Sequence, residues 1–156
     1  MTRFKNVLAL VLALGLVLVV LRFVRNGESA EVGLVKKACN VVKGDNGDWS
    51  VGNFSALYPD YAEGTVDGKS GEVYPKVLDF FYEQSAAASG AAQINPIWRT
   101  LADWQSDYAY AQLLKYIFAK QGQGTSELSA ETVRLGVKAQ MRVSSECKAF
   151  VNRLNS

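Results

Sequence analysis

Three observations predict a mainly α-helical protein. Residues 7–21 are fifteen consecutive Val, Leu, Ala and Gly residues. Several later stretches repeat apolar side chains every three to four positions, the period of a one-sided helix. Gly- and Pro-containing breaks separate those stretches. The predicted architecture is an N-terminal transmembrane helix followed by a small domain of about four helices. A long aromatic-rich loop lies within that domain, with room for one minor hairpin.

The N-terminal run sets the expected location. Arg22 interrupts it and Phe23 and Val24 extend it, so residues 7–24 hold one charge. A helix of that length spans about 27 Å, close to the hydrocarbon thickness of a bilayer. Residues 1–25 therefore read as a signal-anchor in contact with lipid through 7–24, and residues 26–156 as one extracytoplasmic helical domain. A cleaved signal peptide is the competing reading. Its small-x-small cleavage site is poor, because Glu28 lies three residues back from a cut after Ala30. The expected localisation is a single-pass membrane protein.

Charge and cysteine content narrow the function classes. The chain has 17 basic and 15 acidic side chains and no histidine. Four of the basic residues fall in the first 25 positions, leaving the remainder slightly acidic, which argues against nucleic acid as a partner. Residues 45–107 hold ten acidic side chains against Lys69, Lys76 and Arg99. Residues 115–153 hold seven basic ones against Glu127, Glu131 and Glu146. Such segments neutralise each other within a fold or polarise its surface toward a partner. Cys39 and Cys147 lie near opposite ends of the domain and are expected to form a disulfide. Such a bond fits an oxidising compartment and staples the two ends.

In chain order, Asn26-Gly27 marks a break, and Ser29 caps a helix running to about residue 42. Its Val32, Val35, Cys39 and Val42 form one apolar stripe. Residues 44–75 are irregular but rich in Trp49, Phe54, Tyr58, Tyr61 and Tyr74, so the segment is expected to pack down, with a hairpin turn at Asp67-Gly68. Pro75 is expected to open a helix that Gly90 ends. Residues 97–120 form the longest clear helix, with Leu101, Trp104, Tyr108, Ala111 and Phe118 on one side. Trp98, Leu114 and Ile117 widen that side enough for contact from two directions. The last helix begins at a Thr125 or Ser126 cap and buries Val133, Val137, Ser144, Cys147, Val151 and Leu154, with Phe150 beside them.

Few constellations carry chemistry. Without histidine there is no Ser-His-Asp or Cys-His nucleophile, no His-bearing zinc site and no His haem ligand. Gly68-Lys69-Ser70 lacks the glycine spacing of a phosphate-binding loop. Asp45-Asn46-Gly47-Asp48 lacks the ligand spacing of a helix–loop–helix calcium site and reads as a capped turn. No cofactor is implied, and no metal. Glu72, Glu83, Asp103 and Asp107 supply a carboxylate cluster if the fold brings them together. Trp49, Tyr58, Tyr61 and Tyr74 combine apolar area with polar handles and form the candidate interaction surface.

The favoured expectation is a non-enzymatic, membrane-anchored accessory, inhibitory or exclusion/immunity-type protein that acts by binding another membrane or envelope protein. The alternatives are a membrane-tethered carboxylate hydrolase of an envelope glycan, or an exported small-ligand-binding protein.

Overall fold

The computed structural model describes residues 29–58, 70–121 and 129–156, with backbone alone at 70–74 and 119. Its elements are α1 (Ala30–Ala38), β1 (Val41–Lys43), β2 (Trp49–Val51), α2 (Phe54–Leu57), α3 (Ser70–Ile94), a 3-10 turn (Pro96–Trp98), α4 (Arg99–Lys120) and α5 (Ala130–Leu154). The long helices pack in chain order: α1 on α3, α3 on α4, and α4 on α5. The Cys39–Cys147 disulfide then ties the end of α1 to α5.

Each boundary has a local cause. Ser29 Oγ accepts from the Val32 N–H at 3.3 Å and caps α1, with Glu31 in the first turn and Lys36 and Lys37 in the last, the favourable sense for the helix dipole. The helix stops at Ala38 rather than near residue 42 because Asn40 takes a left-handed backbone, φ 48°. Asparagine is the commonest non-glycine residue to do so. The chain then enters a hairpin in which Val41 faces Val51, Val42 faces Ser50 and Lys43 faces Trp49. Gly47, at φ 88°, makes the tight turn, and its N–H donates to the Gly44 carbonyl at 2.9 Å. The hairpin therefore spans 41–51, whereas the turn expected at Asp67-Gly68 lies outside the described residues.

Two expected helix boundaries prove to be interior positions. Pro75 lies inside α3, where its missing N–H removes one backbone bond close to the helix start. Gly90 also lies inside α3, as a packing residue. A Cβ there would sit 3.3 Å from Leu34 Cδ1, so the absent side chain lets α1 approach. The α5 cap is Ser129, not Thr125 or Ser126, and its Oγ accepts from the Thr132 N–H at 3.2 Å.

The main core joins Val35 and Ala38 of α1, Ala87, Ala88 and Ala91 of α3, Leu101 of α4 and Phe150 of α5 around the disulfide. A second cluster of Val77, Phe81 and Ala109 is covered by Phe54, Tyr58, Phe80 and Tyr108. Trp98 belongs to the main core, its ring edge-on to Phe150 at 5.5 Å and its indole N–H donated to Glu31.

The transmembrane expectation is corrected here. Residues 1–25 lie outside the described residues, and among those described no helix is long and apolar enough to cross a membrane. The supported fold class is a mainly α-helical chain with one small hairpin and a disulfide. The signal-anchor, the lipid contact through 7–24, the single-pass localisation and the anchored-accessory function all hung on that helix and are withdrawn with it. The tethered-hydrolase alternative is withdrawn for the same reason.

Candidate functional site: the outward face of the last helix

Helix α5 carries apolar side chains on two sides. Its inner side is built from small and medium residues. Gly136, Ala139, Cys147, Phe150 and Val151 are buried there, with Val143 packed against the core. Gly136 sets the spacing to α4, since a Cβ at that position would lie 3.2 Å from Ala111 Cβ. The larger Val133, Val137 and Met141, spaced one turn apart, are left outward at 42%, 52% and 68% exposure. Val133 and Val137 are thus surface residues and not the core positions expected of them.

A second ladder runs beside the first. Arg134, Lys138 and Arg142 follow each apolar residue by one position, so they lie along its flank, and all three are exposed. Arg134, Val137, Lys138, Met141, Arg142 and Ser145 together line one concave strip. The Lys138 ammonium lies 5.2 Å from the Trp104 ring of α4, a cation–π contact. The result is an apolar track with a cationic border, presented on a helix whose other side is fixed by packing and a disulfide.

The predicted aromatic surface is divided between two places. Trp49 is half-buried; Lys36 Nζ lies 3.4 Å from its ring centroid, and its backbone N–H and C=O are both bonded to the Asn155 side chain at 2.8 and 2.9 Å. That amide acts as a neighbouring strand for β2. Tyr58 packs on Phe54 and Phe80, at 5.2 and 5.7 Å between ring centroids, and its hydroxyl donates to the Lys76 carbonyl. Tyr61 and the Tyr74 side chain lie outside the described residues.

Of the four candidate carboxylates, the side chains of Glu83, Asp103 and Asp107 are described. Glu83 pairs with Lys37 at 3.0 Å on the exposed α1–α3 seam. Asp103 and Asp107 lie on α4, and the Glu72 side chain is outside the description. Among the described residues no three His, Cys, Asp or Glu side chains gather closely enough to hold a metal ion.

Two buried polar features were not anticipated. Gln84, Gln105 and Gln112 are buried amides. Tyr108 is half-buried, and burial raises its pKa above the usual phenol value while a side-chain hydrogen bond that its oxygen accepts from Gln112 works in the opposite direction. Sequence offered one signal for the outward strip, the paired i, i+4, i+8 ladders of Val133-Val137-Met141 and Arg134-Lys138-Arg142. No known protein family, curated protein or solved structure matches the chain.

Proposed function

We propose that the chain is a non-enzymatic recognition module that binds an acidic helix of another protein along the outward side of α5. The observation that carries this reading is the exposed Val133-Val137-Met141 track bordered by Arg134, Lys138 and Arg142. Anchors at one-turn spacing suit a partner helix laid alongside, whose own apolar stripe covers the track. The cationic border then selects acidic flanks on that partner. Such charges act mainly on association rate, register and the rejection of basic competitors, while the apolar contact supplies most of the affinity. The chemistry available to the chain supports a binding role: it has no histidine, and its two cysteines are joined to each other.

Site-specific photo-cross-linking tests this. With the photoreactive residue at Met141, the expected product is one discrete heteromeric adduct, cross-linked through a peptide with a net negative charge. The same probe at Tyr110, an exposed position on α4, should not give it. Arg134→Glu with Arg142→Glu should abolish the adduct. An adduct indifferent to that charge reversal, or formed equally from Tyr110, would overturn the proposal.

A further inference from the structure

The sulfur chemistry of the chain is confined to a few atoms. Its sulfur-bearing residues are Cys39, Cys147, Met1 and Met141. The two cysteines are bonded to each other at 3% and 2% exposure, so residues 29–156 hold no free thiol to meet an oxidant. Met1 lies outside the described residues. Met141 is the one thioether among those described, and at 68% exposure it is among the most open of their large apolar side chains. A methionine in the open is a common site of oxidation to the sulfoxide.

Met141 is also the last anchor of the apolar track on α5, and it shares the concave strip with Val137, Lys138, Arg142 and Ser145. Val133 and Val137 carry no sulfur, so the track has one position open to this chemistry. Hydrogen peroxide transfers one oxygen to Met141 Sδ: a sulfur lone pair forms the S–O bond, the O–O bond breaks, and water leaves. The sulfur is oxidised by two electrons and the peroxide is reduced. The product replaces a flexible apolar side chain with a polar, chiral one. A partner side chain packed there would bury the sulfoxide oxygen away from water, so the apolar anchor is lost. The cationic border is diverted as well. Lys138 and Ser145, at i−3 and i+4, are the helical neighbours of residue 141 and carry donors for that oxygen. A thiol-dependent sulfoxide reductase reverses the step, its two thiols becoming a disulfide while the oxygen leaves as water. We propose that Met141 is a peroxide-reactive modification site whose sulfoxide releases the partner helix from α5, so that oxidation switches recognition off and reduction restores it. This inference rests on the recognition reading of the same strip.

Two measurements on the full chain test it. In the first, the chain is treated with hydrogen peroxide, either folded or in urea, and mapped by peptide mass spectrometry. Met141 should gain one oxygen at folded and unfolded rates that agree within about fivefold, as an exposed thioether does. A folded rate lower by more than that would show the sulfur to be shielded and overturn the proposal. In the second, the photoreactive residue sits at Val137, and peroxide is removed before the chain meets its partner. The adduct should fall by about fivefold or more in the sulfoxide form. Treatment with the reductases for both sulfoxide epimers should restore it. In Met141→Leu the adduct yield, whatever its starting level, should be the same before and after peroxide. The urea midpoint of the sulfoxide form should match the parent's; a lowered midpoint would trace the loss to unfolding and sink the switch. So would a smaller loss of adduct, or an equal loss from Met141→Leu, and each of these leaves the recognition reading standing. No adduct before peroxide overturns that reading, and the switch falls with it.

Discussion

Glu31 does more than favour the start of α1. Its Oε1 accepts from Asn95 Nδ2 at 3.0 Å and from the Trp98 indole N–H, so one carboxylate ties the first helix to the α3–α4 connection. Removing it leaves the buried indole N–H unpaired, and a stranded buried donor costs about 1–3 kcal/mol. Glu31→Ala should therefore lower the denaturation free energy by about that amount. Glu31→Gln retains an acceptor at the same place and should lose much less. Lys115 offers a contrasting case. Burial pulls its pKa below the usual lysine range, so at neutral pH folding holds a partly desolvated ammonium. The unfolded chain keeps that proton to higher pH than the folded one, so this group's contribution to stability improves as pH rises from the folded pKa toward the unfolded pKa. Lys115→Met should be more stable than the parent at pH 7, and the difference between the two should shrink in alkaline denaturation series.

At the scale of elements, the inner side of α5 shows why apolar spacing alone misplaces a core. Val133 and Val137 are larger than Gly136 and Ala139, and helical spacing places them on one face with Cys147. Close approach to Ala111 favours the small residues instead, and the larger ones are displaced outward. Gly136→Leu should separate α4 from α5 and reduce stability by about 2 kcal/mol or more, because overpacking exceeds any gain in helix propensity. Urea denaturation measures this directly. Gly90→Ala, which meets only the movable end of Leu34, should change stability by less than about 1 kcal/mol. The helices themselves were legible from their 3–4 residue periods, and their ends were less so. Asn40 halts α1 through its backbone conformation, which apolar spacing does not encode. Gly90 was read as a stop because a helix-breaking residue and a packing residue look alike without the neighbouring helix. The buried Gln105 was invisible for a related reason: it occupies an inner position of α4 that periodicity assigns to apolar residues.

On the scale of the whole molecule, the helices pack in sequence order, and the covalent link brings the far ends of that series together. Cys39 and Cys147 are 108 residues apart, and their Cα atoms lie 5.3 Å from each other. Closing so long a loop restricts the unfolded chain by about 4–5 kcal/mol in the loop-entropy model. The double variant Cys39→Ala, Cys147→Ala should lose about 2–5 kcal/mol and expose the 41–51 hairpin to faster hydrogen exchange. The bond also explains how α5 can display an apolar track, since its inner side remains docked whatever covers the outer side. The central claim is therefore that Val137 and Met141 serve recognition and contribute little to the core. Urea denaturation of the Val137→Gln, Met141→Gln double variant tests it most directly. A denaturation free energy within about 0.5 kcal/mol of the parent is the predicted result for surface positions, whereas a loss of about 2 kcal/mol or more would place both side chains in the core and contradict the account.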